Sequence, residues 1–128
     1  MATRAYGRSG FTLVELLVVM AILASLLTIA VPRYMNSVEK SREAVLRANL
    51  ALTRQMLDRY FEDNGKYPDG LDSLVTRQYL RSIPQDPITG SNATWVVVAP
   101  AEPDNGGVFD VHSGAPGNGL DGSAYGEW

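Results

Sequence analysis

The N-terminal run GFTLVELLVVMAILASLLTIAV, residues 10–31, sets the architecture of this chain. As an α-helix, about 21 residues of this composition span ~30 Å, which is the thickness of the hydrocarbon core of a bilayer. Residues 11–32 are therefore predicted to form a transmembrane helix. Within it, Glu15 is the only ionisable side chain.

Glu15 needs a partner, because a carboxylate in the middle of a membrane costs ~2.5–3.5 kcal/mol. No Lys, Arg or His lies within one helical turn of it in the sequence. Cleavage between Gly10 and Phe11 would create an α-amino group one turn before Glu15, on the same helix face. Between neighbouring helices offset along a common axis, the amine of one copy would neutralise the carboxylate of the next. The alternative is that Glu15 reaches the headgroup region on its own.

The six residues GFTLVE, from Gly10 to Glu15, follow a short basic leader and open the apolar run. This motif resembles the cleavage and methylation motif of type IV prepilins and type II secretion pseudopilins. The resemblance implies that a prepilin peptidase removes residues 1–10 and N-methylates Phe11. It also implies a leader in the cytoplasm and a chain that faces the periplasm beyond the apolar run. A conventional signal peptide fits less well, because its apolar core is only ~7–15 residues long.

The helix is predicted to continue beyond the membrane segment. Pro32 has no amide hydrogen, and we expect a kink there, used when subunits pack; the alternative is that the membrane helix ends there. An amphipathic pattern then continues to residue 63, and Asn64-Gly65 supplies a stop signal. The predicted apolar face comprises Val45, Leu46, Leu50, Leu52, Met56, Leu57, Tyr60 and Phe61. A helix from residue 11 to residue 63 would be ~80 Å long, too long for a small head to bury.

Charged residues of this second half suggest two contacts. Arg54 and Asp58 are four residues apart and are predicted to pair along the helix. Asp58 is also predicted to contact Arg81, which would link the helical stem to the head and support assembly.

The remainder of the chain predicts a small head of mixed structure. A short amphipathic helix is expected over residues 71–75. Residues 93–99 and 107–113 are predicted strands, joined by residues 100–106 as a hairpin, and the first strand is expected to be buried. The predicted fold class is α+β, with a long N-terminal α-helix that packs through its second half on a small antiparallel sheet in a head of residues 33–128.

Several motifs in the head indicate which class of prepilin-like proteins the chain resembles. The chain contains NGKYP, GL-x-x-LV, P-x-DP and FDV-x-S, and it ends in a loop rich in glycine with Asp121-Gly122. This series resembles the major, G-type pseudopilins of type II secretion systems. Ile88 stands where that family commonly has tryptophan, and the terminal loop is shorter. Type IV pilins usually end in a disulfide-closed loop, and this chain has no cysteine.

The same resemblance implies a calcium ion bound in the C-terminal loop. Hard oxygen ligands suit this ion, and glycines free backbone carbonyls to complete its coordination. The candidate ligands, in order of preference, are Asp121, Ser113, Asn118 and Asp110. Strand alternation would place Asp110 and Ser113 on opposite faces unless the strand ends between them. The alternative is a loop held without metal by packing of Tyr125 and Trp128.

Charge is segregated along the chain, whose formal net charge is -3. Residues 33–59 carry six basic and three acidic side chains, whereas residues 60–128 carry three basic and ten acidic ones. This pattern suits stacking of stem against head between subunits, or recruitment of a cation by the head; a solvated surface is the alternative. An acidic protein with a pI of about 5.0 is not expected to bind nucleic acid.

No catalytic constellation is evident. His112 is the only histidine, and no phosphate-binding glycine loop precedes a helix. We expect a structural subunit of a periplasmic pseudopilus, single-pass in the bacterial inner membrane before assembly into a helical filament. By the resemblance, its partners are other copies of itself, minor pseudopilins, the prepilin peptidase and an inner-membrane platform with a cytoplasmic ATPase. The alternatives are a pilus subunit for adhesion or DNA uptake, and a singly anchored periplasmic binding module.

Overall fold

The computed structural model describes residues 10–128, so nine of the ten residues of the predicted leader, residues 1–9, lie outside the described part. The elements in chain order are α1 (Leu13–Asn64), α2 (Leu71–Thr76), β1 (Val96–Val98) and β2 (Asp110–His112), with short 3-10 turns at Pro103–Asn105 and Tyr125–Glu127. The chain divides into two compact units after Ser37.

In the first unit, the apolar side chains of α1 are exposed. Leu13 and Val31, near the ends of the apolar run, are 74% and 50% exposed, and the large apolar side chains between them are also exposed. By length and composition, this helix could cross a membrane. Pro32 lies inside α1, so the helix does not stop there.

In the second unit, one narrow stripe of α1 is buried. Its members are Glu43, Leu46, Leu50, Thr53, Leu57 and Tyr60, spaced three and four residues apart as one face of an α-helix requires. The predicted face was too broad: Val45 and Leu52 are exposed, and Phe61 is partly so. The head covers only one side of the helix, and apolar residues beyond that side remain in contact with solvent.

Two apolar clusters form along this stripe. The first joins Leu46 and Leu50 of α1 to Val111, Ala115 and Tyr125. The second joins Leu57 and Tyr60 to three head residues: Leu74 of α2, Leu80 and Val108. The short helix predicted at residues 71–75 is therefore confirmed, and its Leu74 is the residue that fixes it to α1.

The sheet has two antiparallel strands, in which Val97 of β1 pairs with Val111 of β2. The predicted α+β class with a small antiparallel sheet is confirmed, although each strand is three residues long instead of seven. The prediction of a buried first strand was wrong, because all three residues of β1 are exposed. β1 bonds to β2 along one edge, while the contact with α1 is made by Val111 of β2.

Candidate functional site

The GFTLVE motif lies at the start of α1. Phe11 precedes the helix and is 88% exposed. Thr12 occupies the N-cap position: its Oγ1 accepts a hydrogen bond from the Glu15 amide at 3.2 Å, and Glu15 Oε2 accepts one from the Thr12 amide at 3.4 Å. This reciprocal arrangement is a capping box. The spacing T-x-x-E is its sequence signal, which the prediction of a partner for Glu15 did not use.

The capping box does not neutralise Glu15. Both of its hydrogen bonds involve polar groups of Thr12, and none brings a positive charge. Among residues 10–128, the ion pairs do not include Glu15. The carboxylate therefore caps the exposed start of the helix, and the ion pairs within residues 10–128 supply it with no positive charge.

Arg54 does not pair with Asp58, so that prediction was wrong. Its Nε donates instead to Asp110 Oδ1 at 2.8 Å, and its Nη2 donates to the main-chain oxygens of Val111 at 2.8 Å and Trp128 at 2.7 Å. A guanidinium carries several donors in a fixed plane, so Arg54 can bind these three acceptors at once. Pairing with the exposed carboxylate of Asp58 would satisfy fewer of its donors.

Asp58 and Arg81 are both exposed. Within the described chain, the ion pairs do not include these two residues, so the structure does not show the predicted link from stem to head. A role for either residue in contacts between subunits stays a prediction.

The four candidate calcium ligands have separate partners. Ser113 is buried, and its Oγ donates to Asp86 Oδ2 at 2.5 Å. Asp110 contacts Arg54 as described above. Asp121 Oδ1 accepts hydrogen bonds from the amide and hydroxyl of Ser123, at 2.9 and 2.6 Å, while its Oδ2 faces Arg47 Nη2 at 3.4 Å.

Asn118, the fourth candidate, is exposed and forms an isolated β-bridge with Ala124. Each of the four residues is thus engaged in contacts within the chain, and the two carboxylates among them already face arginines. Residues 10–128 contain no cluster of three or more His, Cys, Asp or Glu suited to a metal. This donor set does not fit a calcium ion as arranged, and calcium binding stays a prediction that rests on the resemblance alone.

Charged side chains of α1 hold the C-terminal loop. Glu43 is almost fully buried, and its Oε1 accepts hydrogen bonds from the Leu120 amide at 2.7 Å and the Tyr125 hydroxyl at 3.1 Å. Arg47, one turn later, faces Asp121 and lies over the Trp128 ring, 4.0 Å from its centroid. Sequence reasoning missed both side chains because their partners lie more than seventy residues away.

Aromatic packing completes the attachment of the loop. The rings of Tyr125 and Trp128 meet edge to face, with their centroids 5.0 Å apart. Trp128 Nε1 donates to Ser123 Oγ at 2.6 Å. At Gly119 there is no room for a side chain, because an added Cβ would overlap the Trp128 ring. The packing expected from Tyr125 and Trp128 is therefore present, together with the charged contacts.

Asp86, in the P-x-DP motif, is a buried carboxylate that the sequence analysis did not single out. Its Oδ1 accepts hydrogen bonds from the amides of Ile88 at 2.8 Å and Thr89 at 3.3 Å. With Ser113 on its other oxygen, Asp86 ties the proline-rich loop to the end of β2. An aspartate before proline that hydrogen-bonds the amide two residues on is a turn signal that the sequence carried.

Hydrogen bonds alter the acidity of the loop contacts. Partial burial alone would raise the pKa of Asp110, but the Val111 amide and the Arg54 guanidinium outweigh it and hold this pKa below its ordinary value. Hydrogen bonds from Ser123 lower the pKa of Asp121. Burial, followed by the hydrogen bond to Glu43, raises the pKa of the Tyr125 hydroxyl.

Acid should therefore weaken the attachment of the C-terminal loop. Since the pKa of Asp110 is lower in the folded state, its stabilising contribution is present above the ordinary aspartate pKa of about 4 and is lost as pH falls through the folded value. We expect the melting temperature of the full-length protein in detergent to fall more steeply below about pH 4 than that of Asp110→Asn. Circular dichroism measures both, with Asp104→Asn as the exposed control. Parallel pH profiles for Asp110→Asn and the unmodified chain would show that Asp110 does not contribute.

Comparison with known proteins identifies the N-terminal motif. The family model described as "Prokaryotic N-terminal methylation motif" matches residues 6–31, which include the cleavage motif and most of the apolar run. No solved structure gives a significant match to the chain.

Curated relatives match the head as well. The chain is 30% identical to type II secretion system core protein G of Klebsiella michiganensis over an alignment of 145 positions, gaps included. The alignment covers 98% of this chain and 96% of that protein. The protein of the same name from Pseudomonas aeruginosa is 32% identical, with 94% and 95% covered. The one from Aeromonas hydrophila is 34% identical over 96 residues, or 62% and 67% of the two chains. The first two matches extend over nearly the whole chain at 30% identity or more, and the chain therefore belongs to the family of type II secretion system core protein G, the pseudopilins of type II secretion.

Proposed function

We propose that this chain is the repeating subunit of a periplasmic pseudopilus that drives type II protein secretion. The observation that carries the proposal is the exposed apolar surface of α1 directly after the methylation motif. Large exposed apolar surfaces mark contacts with lipid or with other proteins. A single subunit covers none of this surface, since the large apolar side chains from Leu13 to Val31 are exposed.

Two environments would cover this surface in turn. Before assembly, the helix is a single-pass anchor in the bacterial inner membrane, because its length matches the hydrocarbon core. After assembly, the same segments of neighbouring copies form the core of a helical filament. Glu15 sets their register by pairing with the α-amino group of the next copy, and the head faces the periplasm in both states.

The partners follow from these two states. The prepilin peptidase cleaves after Gly10 and methylates Phe11, minor pseudopilins join the filament, and an inner-membrane platform extracts the subunits. The energy comes from a cytoplasmic ATPase that belongs to this platform. The chain itself acts as a structural subunit and not as an enzyme.

Loss of secretion is the test of this function. In the native bacterium, deletion of the gene should remove a set of proteins from the culture medium and remove pseudopili from the filaments released when the cells are opened and sheared. The unmodified chain should restore both, whereas Gly10→Val should restore neither, because the peptidase would not cleave it.

Gly126→Ala is the matched control, since an added Cβ there makes only ordinary contact with the Ser113 carbonyl. The proposal is contradicted if the deletion leaves the secreted proteins unchanged while adhesion or DNA uptake is lost. Normal secretion with uncleaved Gly10→Val would contradict it as well.

A further inference from the structure

We infer that Arg54 fastens the C-terminal loop in the place where a bound cation would act, so that the head of this chain is stable without calcium. The guanidinium joins three oxygens from two parts of the chain. Asp110 Oδ1 and the Val111 carbonyl belong to β2, and the main-chain oxygen of Trp128 belongs to the C-terminal loop. A metal ion bridging a strand and a loop would join such oxygens in the same way.

The geometry suits a guanidinium better than a metal ion. Calcium binds six to eight oxygens at ~2.3–2.6 Å. Arg54 instead makes three hydrogen bonds of 2.7–2.8 Å in the plane of its fork, which is the normal length for a charged N–H donor. The Arg54 side chain extends from α1 beside its buried stripe, so a residue of the helix supplies the positive charge.

A second donor reinforces the same acceptor. His112 Nδ1 lies 2.6 Å from the main-chain oxygen of Trp128 and donates to it, while Nε2 faces Asp110 Oδ2 at 3.6 Å. Both oxygens of Asp110 thus face nitrogen groups of the chain. A calcium ion at this carboxylate would have to displace Arg54 or accept its repulsion at close range.

The second carboxylate of the predicted calcium site, that of Asp121, also has hydrogen-bond and ion-pair partners within the chain. Asp121 uses one oxygen for Ser123 and the other for Arg47. Arg47 and Arg54 lie seven residues apart, which places them on one side of α1. The acidic head therefore obtains its cations from the basic stem of the same chain, which accounts for part of the charge segregation in the sequence.

Thermal unfolding with and without calcium tests this inference. The full-length protein in detergent is dialysed against EDTA, and its melting temperature is measured by near-ultraviolet circular dichroism in EDTA and in millimolar calcium chloride. A calcium site filled at a hundred times its Kd would raise the melting temperature by about 10 °C. We expect a change below about 1 °C, since no such site forms.

The arginine itself is tested by substitution. Arg54→Gln should lower the melting temperature by about 5–10 °C in both solutions, and Arg54→Lys should lower it less, because it keeps the charge but loses the fork. Arg42→Gln is the matched control, as Arg42 is exposed and its ion pair within residues 10–128 is with the nearby Glu39. It should shift the melting temperature by no more than about 2 °C.

Two results would overturn the inference. One is a calcium-dependent rise of several degrees in the unmodified protein, which is decisive even where Arg54→Gln fails to fold. The other is an Arg54→Gln variant that melts with the unmodified chain. Neither result bears on whether the chain is a pseudopilus subunit, because the measurement follows the stability of the head and not secretion.

Discussion

Glu15→Gln should insert into the membrane and be cleaved after Gly10, yet yield about tenfold fewer pseudopili or less, because the amine of the next subunit is left unpaired in an apolar core. Glutamine can still complete the capping box with Thr12, since this motif accepts Glu or Gln. The substitution therefore removes the charge and keeps the helix start. Quantitative immunoblots of sheared filaments, against total cleaved protein, measure the effect.

Two further variants separate the roles of this residue. Glu15→Ala removes both the charge and the cap, so it should be at least as defective as Glu15→Gln. Glu39→Gln is the matched control, because Glu39 lies on the same helix and pairs with Arg42 at 3.6 Å on the surface. If Glu15→Gln assembles normally while Glu15→Ala does not, Glu15 acts as a helix cap and the pairing between subunits is wrong.

Leu57→Ala should reduce the free energy of unfolding by ~2–5 kcal/mol, the usual range for a leucine truncated in a packed core. Leu57 is completely buried and packs with Leu74 and Val108 in the second apolar cluster. The loss combines the removed apolar contacts with the cavity left between α1 and the head. Denaturant titration of the full-length protein in detergent, followed by near-ultraviolet circular dichroism, measures it.

Leu52→Ala is the matched control from the same helix. Leu52 is 43% exposed, and its truncation should change the free energy of unfolding by no more than about 0.5 kcal/mol. The two leucines were predicted to lie on one apolar face, so the comparison also tests which side of α1 the head covers. Equal losses for both variants would show that the buried stripe is misplaced.

The extent of the long helix could be predicted from local sequence patterns, whereas the two strands are shorter than predicted. The apolar run, the 3.6-residue period and Asn64-Gly65 predicted a helix over residues 11–63, and α1 runs from Leu13 to Asn64. Such features depend on residues a few positions apart. The width of the buried face could not be predicted in this way, because residues such as Leu52 extend the apolar stripe and only the head decides which part is covered.

In the candidate site, too, features built from neighbouring residues could be predicted, whereas contacts between distant residues could not. The GFTLVE motif is contiguous, so its place at the start of α1 was predictable from sequence. The contacts of Arg54 were not, since Asp110 and Trp128 lie 56 and 74 residues away and an exposed Asp58 stood nearby as an apparent partner. Local spacing alone therefore paired this arginine with the wrong carboxylate.

Mass spectrometry of subunits from sheared pseudopili tests the central claim most directly. In our account, a neighbouring copy with a new N-terminus neutralises Glu15 in the filament core. Subunits in the filament should therefore begin at an N-methylated Phe11. Filaments of normal length and number built from chains that still begin at Met1 would contradict it.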